Sequence, residues 1–225
     1  MPINDTTIVY SRQSVLSTNT VLRNTYLLLS LTLLCSTAGA AYAVISGATF
    51  ATSTLASLLI SLGLLFATTA LRNSAWGILT IFAFTGFMGY AMGPFLNHFI
   101  HGYKNGAHLI VTALGGTGLT FFVSSAYILT TKKDLSHWGK FLTIGLVMCV
   151  VAMLANIFLK MPAMQLAIST LLTFISAMLM MYDTSRIINN GEQNYILATI
   201  SLYLDILVFF QNLLILLGTF SGNRD

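Results

Sequence analysis

Seven apolar stretches, each long enough to cross a bilayer, follow one another along this 225-residue chain. A spanning helix needs about 20 mostly apolar residues. The stretches 26–45, 51–71, 75–96, 109–129, 141–159, 162–181 and 195–217 meet that length. Inside hydrocarbon each backbone N–H and C=O must be satisfied within the protein, so isolated apolar runs fold as helices rather than as open sheet. Only 7% of the residues are charged, against about 25% in an ordinary soluble domain. The connections are short and leave no room for a soluble domain. The reading is an all-α integral membrane protein with seven transmembrane helices. A polar N-terminal tail covers 1–25, the helical domain 26–217, and a short C-terminal tail 218–225.

The tail carries Asp5, Arg12 and Arg23 and lacks an apolar core, so it does not read as a cleavable signal peptide. Lys and Arg in the loops set orientation. With the N-terminus inside, the inner segments hold Arg12, Arg23, Arg72, Lys132, Lys133, Lys140 and Arg186, and the outer ones only Lys104, Lys160 and Arg224. This predicts an N-terminus on the inner side of the membrane and a C-terminus on the outer side. The net charge of +4 is a topology signal; no aromatic-interleaved basic patch points to nucleic acid. Cys35 and Cys149 lie in apolar runs without metal or redox spacing and read as small core residues.

Small residues mark expected helix contacts. Gly86, Gly89 and Gly93 fall in the third stretch, with Gly89 and Gly93 at the spacing of a small-residue packing face. Gly115, Gly116 and Gly118 are expected to do the same in the fourth. Pro94 and Pro162 lie near span ends. His98, His101 and His108 fall in the third connection, which reads as a solvated loop rather than a metal site. Lys132, Lys133 and Lys140 read as a topology determinant beside anionic lipid.

Two aspartates stand out. Asp183 and Asp205 sit in or beside the last two apolar stretches, and a carboxylate in hydrocarbon costs on the order of several kcal/mol. Asn189-Asn190-Gly191 is a helix-stop and turn signal. Counted from that turn at 1.5 Å per residue, the two acids differ in depth by about 0–9 Å, so they can share one polar pocket if the helices are neighbours. Two touching carboxylates do not both ionise readily, and their titration belongs to the pair. Losing the shared proton adds repulsion and creates an anionic site for a cation. The plainer alternative is an aspartate bonded to a neighbouring helix. Ser201, Tyr203, Gln211 and Asn212 add polarity to the last stretch. Ser201, Asp205 and Asn212 share a face, which predicts a central last helix.

Paired aspartates also occur in presenilin-like intramembrane proteases. Tyr182-Asp183 matches one of their motifs, but Leu202-Tyr203-Leu204-Asp205 lacks both glycines of the other. The seventh stretch has no lysine for a rhodopsin-type Schiff base, and no Walker motif, nucleophile elbow or zinc signature is present. A non-enzymatic role follows.

Ser201-Leu202-Tyr203-Leu204-Asp205-Ile206, followed by Gln211-Asn212-Leu213-Leu214, resembles the signature of the Bax inhibitor-1 family. Met181-Tyr182-Asp183, Lys132-Lys133-Asp134-Leu135-Ser136 and Asn156-Ile157-Phe158 carry the same resemblance. Leu16-Ser17-Thr18, Val21-Leu22-Arg23-Asn24-Thr25-Tyr26 and Phe82-Ala83-Phe84-Thr85-Gly86-Phe87 are similar to its bacterial YccA-like branch. The resemblance implies a seven-helix inner-membrane protein that contacts the lipid bilayer and associates with the FtsH protease, modulating it. The alternative it implies is a pH-sensitive calcium leak channel, in which residues matching Asp183 and Asp205 sense protons and meet the transported calcium. An arginine of the second span partners that pair in the family. Arg72 ends the second stretch here, off the family position; Arg186 lies three residues after Asp183.

Overall fold

The computed structural model describes residues 5–47, 54–189 and 191–222. Eight α-helices follow one another in these residues: α1 (Asp5–Ile45), α2 (Thr54–Ala70), α3 (Trp76–Ala91), α4 (Gly93–Gly102), α5 (Gly106–Thr131), α6 (Gly139–Leu159), α7 (Pro162–Ile188) and α8 (Tyr195–Phe220). A 3-10 turn, Ser136–Trp138, leads into α6. The segments Thr20–Ile45, Trp76–Gly102, Gly106–Thr131, Ser136–Leu159, Pro162–Ile188 and Tyr195–Phe220 are long and apolar enough to cross a membrane. The remaining stretch corresponds to α2, whose 17 residues extend about 25 Å, short against a hydrocarbon core of about 30 Å. Positions 51–53, which open that stretch, lie outside the described residues, as do 1–4 and 223–225 of the two tails, Arg224 included. Residues 5–25 of the N-terminal tail are helical and run into the first span without a break.

The third span differs from its expected form. α3 stops at Ala91, and α4 restarts at Gly93 with Pro94 in its first turn. Proline has no N–H to donate, and the first turn of a helix needs none. Pro94 therefore opens a helix instead of closing one. His98 and His101, expected in a loop, ride on α4, and the His101 ring lies 3.0 Å from the Asn97 carbonyl one turn back. His108 falls in the first turn of α5. Among the described residues, no group of three His, Cys, Asp or Glu side chains could hold a metal ion.

α5 and α6 each end on a lysine in the left-handed conformation, Lys132 at φ 50° and Lys160 at φ 51°. Their N–H groups donate to the carbonyls of Ile128 and Asn156, the bond that closes a helix at a position glycine usually takes. A lysine here has a long stem that can carry its ammonium out of the apolar run to water.

Small residues let α1 and α3 approach at backbone distance. A Cβ on Gly39 would strike the Gly86 carbonyl, one on Gly89 the Ser36 carbonyl, and one on Gly93 the Ala43 side chain. In α5 the expected pattern holds only in part. Gly116 packs against Leu213, but a Cβ on Gly115 or Gly118 would meet nothing within 4 Å. Lipid-facing and buried surfaces are both apolar in a membrane, so sequence does not distinguish a glycine that packs from one that faces open space.

α8 occupies the centre. It packs most extensively on α7, then on α1 and α5, and it touches α3. Its buried residues include Leu202, Tyr203, Asp205, Ile206, Phe209 and Phe210, adjacent positions that point in different directions around the axis. A helix enclosed on most sides is what such a pattern requires.

Candidate functional site

The turn between α7 and α8 builds the site. The Arg186 carbonyl accepts from the N–H groups of Gly191 (2.8 Å) and Glu192 (3.2 Å), which stops α7 and turns the chain back. Asn194 then starts α8: its side-chain oxygen accepts from the N–H of Ile196 (3.0 Å) and of Leu197 (3.2 Å). Such a cap satisfies donors that a helix N-terminus otherwise leaves free. The Asn194 amide also donates to the Arg72 carbonyl (3.2 Å) and the Asn73 side chain (2.9 Å), fastening the α2–α3 corner to the foot of α8.

Asp183 lies five residues before the end of α7, and Asp205 ten residues into α8. Along the helix axes these offsets are about 8 Å and about 15 Å. Cα–Cβ bonds tilt toward the N-terminus of their own helix. In two antiparallel helices that tilt sends Asp183 deeper and Asp205 back toward the turn, which narrows the gap. Both residues are buried, and their carboxyl groups lie close enough to interact. No N–H or O–H donor among the described residues reaches the buried Asp205 Oδ2. A carboxylate only accepts, so two facing carboxyls bond one another only when one carries a proton.

Arg186 reaches this pair from one turn away. Its Nη1 is 3.6 Å from Asp183 Oδ1 and its Nη2 is 3.5 Å from Glu192 Oε2. Its guanidinium carbon also lies 5.7 Å from the centre of the Tyr182 ring. The Arg186 side chain is 34% exposed, so solvent screening limits each ion pair to about 1 kcal/mol or less. Arg72 is exposed and enters the site only through its carbonyl, on the far side of Asn194. The arginine beside the carboxyl pair is Arg186.

The other polar candidates of α8 diverge from the pair. Ser201 is half-buried one turn before Asp205. Tyr203 is fully buried, with its hydroxyl 2.8 Å from that of Ser36 on α1 and donating to the Thr85 carbonyl on α3 at 3.3 Å. Gln211 donates to the Met92 sulfur at the α3–α4 junction (3.0 Å), and Asn212 to the Val208 carbonyl of its own helix (2.8 Å). Tyr203 and Gln211 therefore hold α8 against its neighbours.

Two residues of the site have no place in the sequence reading. Glu192 shares Arg186 with Asp183; one acid just beyond a helix-stop turn, in a chain so poor in charge, was a signal for it. Ser185 has no such signal. Its hydroxyl donates to the Lys133 carbonyl (2.8 Å) and accepts from the Leu135 N–H (3.0 Å), pinning the α5–α6 loop two residues from Asp183. In that loop the Ser136 hydroxyl and N–H both donate to Asp134 and hold its carboxyl below the usual carboxylate range.

The chain as a whole is similar to known proteins. The family model described as Inhibitor of apoptosis-promoting Bax1 matches residues 18–222. The chain is 46% identical, over 93% of its length and 94% of the relative's, to the Modulator of FtsH protease YccA of Escherichia coli K12. The same identity and coverage hold for the Inner membrane protein YccA of another Escherichia coli strain. An uncharacterized membrane protein of Vibrio cholerae is 44% identical over 95% of each chain.

Proposed function

The chain belongs to the Bax inhibitor-1 family, and from that membership we infer that it is a non-enzymatic inner-membrane protein that associates with the FtsH protease and modulates it. The near full-length similarity to a relative carrying that name carries the reading. The shape of α1 supports it. The apolar run begins at Tyr26 and α1 begins at Asp5, so the helix continues for about 20 residues, or about 30 Å, beyond the apolar run. With the N-terminus in the cytoplasm and the C-terminus in the periplasm, as the loop charges favour, this extension is a handle on the side where an ATP-driven protease works. Co-purification from native membranes tests the association, and turnover of membrane substrates with and without the protein tests the modulation. Absence of FtsH from the purified material, together with unchanged turnover, would refute it.

A second reading, a pH-sensitive calcium leak, draws on one observation: the Asp183–Asp205 contact leaves a buried carboxylate oxygen without a donor. Calcium takes about six to eight oxygen ligands. Two carboxylates supply four, and Arg186 competes for one of them, so the pair suits a passing ion better than a resident one. Calcium flux into proteoliposomes across a pH series, with Asp183→Asn and Asp205→Asn, tests it; flux and pH response unchanged in both variants would leave the pair a structural contact only.

A further inference from the structure

A cavity of about 390 Å³ lies between α1 and α5, with α8 as its floor and the α3–α4 junction at its far end. Along α1 it runs from Tyr26 to Ala40, 14 residues or about 21 Å. Exposed Ser30 and Thr37 on α1 and Leu114 and Phe122 on α5 form its rim. These positions fall inside the spans Thr20–Ile45 and Gly106–Thr131, so the mouth opens sideways into hydrocarbon rather than to water.

The hydroxyls in the wall are already used. Ser30 donates to Leu27, Thr37 to Leu33 and Thr117 to Ala113, each to a carbonyl of its own helix. Ser36 and Tyr203 bond one another. What the cavity offers an occupant is hydrocarbon. The exception is Tyr26, at the end nearest the start of the span, whose buried hydroxyl has no hydrogen-bond partner among the described residues. Its ring meets that of Phe121 at 5.8 Å and closes this end.

The dimensions select the occupant. The cavity is long and narrow: it runs about 21 Å along α1 with a volume of about 390 Å³, a shape that suits one extended hydrocarbon chain. An α-helix with side chains is about 10–12 Å across, roughly 80–110 Å² in section, and does not fit. Water is a poor occupant, because a buried water needs about two to four polar partners.

We propose that this cavity is a binding site for one acyl chain of a membrane phospholipid, which enters sideways between α1 and α5 and lies along α8. The glycerol-ester end of the lipid faces Tyr26, where an ester oxygen can accept from the buried hydroxyl. The seat wedges apart the helix that carries the N-terminal extension and the helix that leads into the Lys132–Leu135 loop.

The test uses the full-length protein in proteoliposomes containing phosphatidylethanolamine with a photoreactive diazirine on one acyl chain, cross-linked and mapped by peptide mass spectrometry. Gly118 lines the cavity, and a Cβ there meets nothing within 4 Å; Gly118→Leu fills the space without a backbone collision. Gly63 on α2 is equally open but lies outside the cavity, so Gly63→Leu is the matched control. Labelling of α1 and α5 peptides is expected to saturate as the probe fraction rises. In Gly118→Leu, but not in Gly63→Leu, it should fall about tenfold relative to the lipid-facing α6 peptides. Leu114→Trp, a bulkier rim residue, should give the same loss, and thermal melts of each variant check folding. Labelling that rises linearly on α1 and α5 as on α6, or that survives both fillings, overturns the proposal.

Discussion

Asp183 faces Asp205 on the neighbouring helix and lies 3.6 Å from Arg186 on its own. When both acids ionise, two carboxylates oppose each other in a low dielectric. An amide in place of one of them donates to the other at any pH. Asp205→Asn is therefore expected to flatten the pH dependence of the α7–α8 contact. Hydrogen exchange at the amides of Asp183–Ile187, followed from acid to neutral pH, reads this out. A wild-type-like pH response in the variant would mean that the pair does not set it.

Gly89 has the Ser36 backbone directly against it, whereas Gly115 faces open space. Gly89→Leu should destabilise the protein by about 2–3 kcal/mol or more through overpacking of α1 on α3, while Gly115→Leu should be neutral or slightly stabilising from helix propensity. Thermal unfolding in detergent distinguishes them. Equal losses would mean that Gly115 has a partner after all.

Removing the Tyr203 hydroxyl leaves Ser36 without its partner and the Thr85 carbonyl without its donor. Tyr203→Phe is expected to cost about 1–2 kcal/mol, and Ser36→Ala combined with it should add little, because the two hydroxyls form one unit. A double-mutant cycle on melting temperature checks the coupling; strictly additive losses would refute it.

Asp134 stands outside the spans, and Ser136 holds its carboxyl low. A folded-state value below the unfolded one stabilises at pH above the ordinary carboxylate range, and that contribution fades as pH falls through the lowered value. Ser136→Ala should move the Asp134 titration back up toward the ordinary value, measurable by carboxyl-carbon NMR. An unchanged midpoint would show that Ser136 does not act on Asp134.

Ser185 ties Lys133 and Leu135 to α7. Ser185→Ala should speed exchange of the Leu135 amide at least several-fold, the equivalent of about 1 kcal/mol of lost hydrogen bonding, with α8 unchanged. Faster exchange spread over the whole bundle would indicate global destabilisation instead.

The membrane class and the helix positions were legible in sequence because hydrocarbon forces each backbone polar group to be met inside the protein. The depth of Asp183 and Asp205 was legible because Asn189-Asn190-Gly191 fixes the origin from which both are counted. Three features were not. Pro94 marks an end or a beginning equally well on composition, and only the register of α4 decides. Gly115 and Gly118 look like Gly89 and Gly93 because both lipid and a helix neighbour are apolar. Arg72 and Arg186 are both arginines at span ends, and only the continuation of α7 to Ile188 keeps Arg186 one turn from Asp183 on the same face.

The opposed lean of the two aspartates has a mechanical consequence. Each side chain tilts toward the start of its own helix, so their meeting point is fixed by vertical registry rather than by crossing angle. A slip of α8 along α7 by one residue moves them about 1.5 Å, and by one turn about 5.4 Å, beyond any hydrogen bond. The pair is a vernier between the last two helices: tilting leaves it closed, and sliding opens it.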